Sequence, residues 1–295
     1  ASAMILATSG LFISELRQAG NDGLLTLFTA MAIHAAWRRI HGTSRGAERG
    51  SPRWESIAPG PRSWALAFYA ALGLGFLCKG PVILWITAIT LVPYLLVVGR
   101  FREGMRSLAH LGGLALFIGL ALCWPLPVLL GDPRAIGVWM TEIGQKTGVL
   151  PIGHQERAVL GLSLPAMLMP WTVVGLVGAL LPVLAWRPVR LPWRRSTPWF
   201  PWFWAMGNLA TFSFWAVAKP NYFVPCLPGM ALLAGMGWIR LSKRADARAV
   251  AAGVPPRSHR VARILLGLQW LLILAVGVAG PLLSRRNQIP APWPW

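Results

Sequence analysis

Four polar stretches interrupt an otherwise apolar chain, and each carries side chains able to do chemistry. Asn21-Asp22 stands directly before an apolar run. A carboxylate there can orient a sugar or take a proton from a hydroxyl. The competing structural reading is a helix N-cap, because Asn and Asp accept bonds from the first free helix N–H groups. Lys79, in Cys78-Lys79-Gly80-Pro81, puts one ammonium where a phosphate could meet it, beside the N–H groups of the next helix start. A lysine snorkelling to a membrane interface is the plainer alternative. Lys219-Pro220-Asn221-Tyr222 joins a cation to a phenol donor, a pair suited to an anionic headgroup. A capped tight turn with an interfacial tyrosine would account for it as well. The stretch 131–158 holds Glu142, Lys146, His154, Glu156 and Arg157. One histidine beside carboxylates is a poor metal signature, and a solvated loop histidine is the simpler reading. No metal-ligating residue is assigned, and a divalent ion stays open as an alternative. Ionisable groups near hydrocarbon are costly, which is why all four stretches rank as functional candidates.

The elements that must position these residues are helices. Hydrophobic residues make up 55% of the 295, charged ones 13%, and the mean hydropathy is +0.55. That leaves too little polar surface for a water-soluble globule of this length. The apolar residues fall in nine segments, at 1–16, 23–37, 64–78, 82–98, 108–130, 159–185, 199–218, 222–239 and 264–283. Long apolar runs of this kind span bilayers as helices, which satisfy their own backbone hydrogen bonds. No two-residue alternation repeats over ten-residue segments, so a β-barrel is not expected. A lysine and a proline separate 64–78 from 82–98 and 199–218 from 222–239, which predicts two hairpins with tight turns. The expected architecture is an all-α, polytopic transmembrane bundle forming one domain over 1–295.

Alternating the sides puts the connections 38–63, 99–107, 186–198 and 240–263 on one face, with six, three, four and seven basic residues, 20 of the 28 Lys and Arg. The positive-inside rule makes that face cytoplasmic. All four polar stretches fall on the other face, where 131–158 is the long outer loop. The formal net charge of +19 follows from this loop bias, is compatible with attraction to anionic lipid headgroups, and is not read as nucleic-acid binding. Cys78, Cys123 and Cys226 are far apart, without CxxC spacing, and read as packing residues. Tryptophans gather near segment ends, as in an interfacial belt. The chain opens at Ala1 without an initiator Met or a basic leader segment, as though inside a helix, so a piece of a longer protein is expected.

Four stretches, in order, resemble family 39-like, GT-C fold glycosyltransferases, among them the bacterial aminoarabinose transferases acting on lipid A and relatives of protein mannosyltransferases. Leu16-Arg17-Gln18-Ala19-Gly20-Asn21-Asp22-Gly23-Leu24-Leu25 is similar to their Arg-x-Ala-x-x-Asp-x-x-Leu segment. Gly73-Leu74-Gly75-Phe76-Leu77-Cys78-Lys79-Gly80-Pro81 looks like their GLGFLTKGP block. His154-Gln155-Glu156-Arg157, ahead of Pro170-Trp171, resembles their His/Arg outer loop and PW helix. The run from Lys219 through Pro220, Tyr222, Pro225 and Pro228 resembles their K-L-P-x-Y-x-L-P-x-x-P block. The resemblance implies an integral-membrane enzyme of the bacterial inner membrane, with its active site on the periplasmic side. Such enzymes move a sugar from a polyprenyl-phosphate carrier to a lipid, glycan or protein acceptor. It further implies that Lys79, Lys219 and Tyr222 bind the donor phosphate, that Asp22 is a catalytic carboxylate, and that Asn21, His154 and Arg157 line the cavity. Three departures stand out. The spacing from Lys219 to Tyr222 is one residue shorter than in the aminoarabinose transferases, so the resemblance does not fix lipid A as the acceptor. Cys78 occupies a position where an acidic or polar residue is expected, which argues against zinc. The family's acidic first outer loop would lie upstream of Ala1, together with N-terminal helices. The rival from another class is a lipid-linked-sugar flippase, which predicts ionisable residues in mid-span and paired broken helices.

Overall fold

The computed structural model describes residues 1–17, 21–42, 60–147, 168–184, 198–213, 220–246 and 256–286, and these are helical throughout apart from short turns. The helices are α1 (Ser2–Ala7), α2 (Gly10–Arg17), α3 (Asn21–His41), α4 (Arg62–Lys79), α5 (Val82–Val98), α6 (Phe101–Leu108), α7 (Leu111–Leu122), α8 (Pro125–Gly131), α9 (Ala135–Thr147) and α10 (Thr172–Leu184). They continue as α11 (Trp199–Trp202), a π turn (Phe203–Gly207), α12 (Asn208–Ser213), a 3-10 turn (Pro220–Cys226), α13 (Leu227–Ala245) and α14 (Pro256–Arg286). The all-α expectation therefore holds among the described residues.

The hairpin predicted at Lys79-Gly80-Pro81 is present. Gly80 adopts φ +63°, a backbone region that disfavours side chains, and its N–H bonds back to the Phe76 carbonyl at 2.7 Å. Pro81, which lacks an N–H, stands where the next helix needs none, and α5 begins one residue later. Antiparallel packing of α3 on α4 is fixed at both ends. Asp22 meets Lys79 at one end, while at the other Arg38 lies over Trp64 and Arg39 reaches the carbonyl of Gly60. Gly113 packs on Tyr69 and Leu120 on Gly73, so α7 runs parallel to α4. One buried cluster joins α3, α4, α5, α11, α12, the 3-10 turn and α13, around Leu25, Ile33, Ile83, Ile86, Tyr94, Phe212 and Phe223.

Two expected runs are broken. Segment 1–16 forms two helices because Thr8 and Ser9 bond their hydroxyls back to the carbonyls of Met4 and Ile5 at the break. Segment 108–130 stops at Leu122, since Pro125 and Pro127 cannot donate to a continuing helix and crowd the turn before them. Among the described residues, two stretches are long and apolar enough to cross a membrane, Tyr222–Ala245 and Ser258–Val278. The pair Phe101–Leu108 and Leu111–Leu122 adds a third if counted together, although it bends by 67°. Val82–Val98 and Thr172–Leu184 are apolar but shorter.

Candidate functional site

Three of the sequence candidates meet at one end of the α3–α4 hairpin. Asp22 sits in the first turn of α3, where a carboxylate faces the positive end of the helix dipole. Lys79 is the last residue of α4, where a cation faces the negative end. The tight Gly80-Pro81 turn holds the Lys79 side chain over the start of α3. There its Nζ donates to Asp22 Oδ1 in a close ion pair. Both side chains are largely enclosed, Lys79 with 22% and Asp22 with 12% of its side chain accessible. The Lys79 ammonium also lies 4.8 Å from the centre of the Tyr222 ring. At that range a cation is attracted to the ring's negative face.

Tyr222 is held there by its neighbours. Phe223, Val224 and Cys226 are fully buried, Phe212 meets Phe223 edge-on, and the Trp204 indole N–H donates to the Pro225 carbonyl at 2.9 Å. Prolines 220, 225 and 228 lack donors, and this stretch runs as a 3-10 turn before α13 begins. The tyrosine is thus carried on a rigid turn anchored in the core.

Asp22 lies inside the first turn of α3, which starts at Asn21, so it does not stand before the helix as an N-cap would, and its carboxylate pairs with Lys79. The resemblance groups these residues in one site, but the direct Asp22–Lys79 pair is not among the sequence expectations, although the sequence carries a signal for it: opposite charges at adjoining ends of two antiparallel segments. Asn21 is exposed at the start of α3. Lys219, His154 and Arg157 lie outside the described residues, as does Glu156. No cluster of three metal-ligating side chains occurs among the described residues.

Sequence reasoning missed a cavity of about 440 Å³ between α1, α3, α11 and α13. Leu6, Ile33, Trp37, Trp204, Leu232 and Met236 form much of its wall, with His34 as its ionisable member. Its lining comes from four segments far apart in the chain, so no local motif announces it.

The all-helical fold has a counterpart among solved structures. It matches the crystal structure of ArnT from Cupriavidus metallidurans bound to undecaprenyl phosphate, with a TM-score of 0.57 and 19% identity, over 90% of this chain and 49% of that one. The apo form of the same protein matches with a TM-score of 0.54 over 90% and 48%. Among curated proteins, the chain is 27% identical over 258 residues to the undecaprenyl phosphate-alpha-4-amino-4-deoxy-L-arabinose arabinosyl transferase of Pseudomonas paraeruginosa. It is 28% identical over 243 residues to the Pseudomonas aeruginosa protein of the same name. These matches cover 85% and 80% of the chain but only 42% and 39% of the relatives, so the chain spans about two fifths of their length. No model of a protein family matches it. The relatives that the motifs point to are thereby met: the chain's homologues are named as arabinosyl transferases, and its fold is similar to about half of the ArnT structure.

Proposed function

We propose that this chain is part of a multi-pass bacterial inner-membrane glycosyltransferase that moves a sugar from a polyprenyl-phosphate carrier to an acceptor outside the cytoplasm. The donor sugar is aminoarabinose or a close analogue, and the acceptor is lipid A-like, following the relatives rather than the glycan- or protein-modifying members. All nine apolar segments cross the membrane in this proposal, and the Asp22 end of α3 faces the periplasm. The observation that carries it is the convergence of Asp22, Lys79 and Tyr222 from three separate motifs. A flippase has no counterpart among the relatives reported above.

The chemistry follows from charge. The acceptor oxygen bonds to the sugar C1 as the C1–O bond to the carrier phosphate breaks, and the bonding pair leaves with the phosphate. Negative charge therefore grows on the phosphate, and a nearby ammonium stabilises it more strongly in a site shielded from water. Lys79 has that role, shared with Lys219, while Tyr222 holds the Lys79 ammonium in place. The acceptor proton passes to a carboxylate, for which Asp22 is the candidate in the described site. Asn21, His154 and Arg157 line the sugar and acceptor cavity. The apolar cavity beginning at Ala30, eight residues or about 12 Å along α3 from Asp22, has the chemistry a prenyl chain requires.

The test is transfer by the whole protein in membranes, with polyprenyl-phosphate aminoarabinose as donor and lipid A as acceptor, read by mass spectrometry of the product. Lys79→Ala is expected to lower turnover by roughly 100-fold or more, as removal of one charge-stabilising donor typically does. Asp22→Ala should be comparably impaired. If both variants accumulate normally and turn over at the wild-type rate, the proposal fails.

A further inference from the structure

At the end of α3 remote from Asp22, the short helix α6 is set off from the membrane-crossing direction, bending by 67° from α7. Its sequence Phe-Arg-Glu-Gly-Met-Arg-Ser-Leu divides into three faces. Gly104 and Leu108, four residues apart, are buried. Gly104 lies so close to Leu95 of α5 that a β-carbon would fall 2.5 Å from that side chain, so α6 lies flat against the end of the bundle. Arg39 of α3 fastens it there by donating Nε–H to the Ser107 carbonyl at 2.7 Å. The second face is apolar and uncovered: Phe101 and Met105, again four apart, are 37% and 42% exposed. The third face bears Arg102 and Arg106, both exposed, and neither forms an ion pair among the described residues. Glu103 is already engaged by Arg100. Nearby, Arg62 is exposed in the first turn of α4, and Arg38 is stacked on Trp64.

We infer that α6 is an interfacial helix whose Arg102–Arg106 face binds anionic phospholipid headgroups of the leaflet opposite the Asp22–Lys79 pair. Phe101 and Met105 enter the acyl region beneath those headgroups. The two stripes lie about 100° apart around the helix, because consecutive residues turn by that angle at 3.6 per turn. Arginine beside an apolar stripe is the pattern of helices lying in the bilayer surface. A soluble polyanion would satisfy the arginines but leave Phe101 and Met105 in water, and this is why a lipid fits better. Guanidinium groups pair with phosphodiesters in two-pronged fashion, which favours a phosphate headgroup over a carboxylate surface. The inference does not rest on the transfer reaction.

The experiment uses the full chain in detergent, titrated with phosphatidylglycerol or with phosphatidylcholine of the same acyl composition, and bound lipid is counted by native mass spectrometry. The wild type should retain phosphatidylglycerol preferentially. An R102Q/R106Q variant should lose that preference by roughly 10- to 30-fold, given an attraction worth roughly fivefold per basic residue at a charged leaflet. A variant with Arg260→Gln and Arg263→Gln, two exposed arginines on α14, should keep it. Changing Phe101 and Met105 to serine should weaken retention of both lipids. Equal retention of the two lipids by the wild type overturns the inference. So does an undiminished preference in R102Q/R106Q, or an equal loss in the α14 variant, since general surface charge would then suffice.

Discussion

The two ends of the α3–α4 hairpin use charge in opposite ways. At one end an ammonium and a carboxylate face each other, with a tyrosine ring beside them. At the other, Arg39 is held by the carbonyls of Ser107 and Gly60, Arg38 by the face of Trp64, and His41 by the hydroxyl of Tyr94 at 3.2 Å. Among the described residues, no carboxylate forms an ion pair with Arg38 or Arg39. Carbonyls and rings cannot be exchanged for a ligand without unmaking the fold, whereas Lys79 can trade its carboxylate for another anion and leave the helices in place. The first arrangement is therefore suited to a site, and the second to a brace.

Paired substitutions at the two ends sharpen this contrast. Lys79→Ala should abolish most transfer while the protein still accumulates. Arg39→Ala should do the reverse, losing about 3 kcal/mol of stability with two charge-assisted bonds, measurable as a lower melting temperature in detergent. Comparable losses of transfer in the two variants, at equal stability, would erase the distinction between site and brace.

A smaller effect concerns His41, which lies beyond the apolar segment. Burial, with the Arg100 charge as the lesser cause, lowers its pKa from 6.5 to about 3. The folded chain refuses a proton that the unfolded chain accepts below pH 6.5. The stability contributed by neutral His41 is therefore complete above that pH and lost as pH falls from 6.5 toward 3. At pH 5 the loss is about 2 kcal/mol, an order-of-magnitude figure from 1.4 kcal/mol per pH unit. Thermal unfolding at pH 7.5 and pH 5 should show the drop in wild type and much less of it in His41→Gln. An identical drop in both would mean that His41 is not the acid-sensitive brace.

The smallest expected effect is at Tyr222. Replacing it with leucine removes a cation–ring attraction of about 1 kcal/mol and should slow transfer only several-fold. Phenylalanine keeps the ring and should recover most of that rate. If Tyr222→Phe is as poor as Tyr222→Leu, the hydroxyl rather than the ring is what the reaction uses.

Much of the architecture was readable from residue order. The Lys79-Gly80-Pro81 turn appeared where a cation and a proline interrupt an apolar run, because proline and a positive-φ glycine act locally. Breaks at Thr8-Ser9 and before Pro125 were not anticipated, although hydroxyls and prolines in those positions carry the signal. The site was legible as a set of separate candidates. Asp22, Lys79 and Tyr222 each stood out because a polar group beside an apolar run is conspicuous.

Residue types and their spacing alone determined that this chain is helical, apolar and polarised in charge, since those properties depend on neighbours in the chain. That Lys79 spends its charge on Asp22 and rests over Tyr222, residues 57 and 143 positions away, was decided only in three dimensions. So was the apolar cavity assembled from α1, α3, α11 and α13. An ion pair acts over a few ångströms, and only the packing of α3 on α4 and of the 3-10 turn on α3 brings such distant residues within that range.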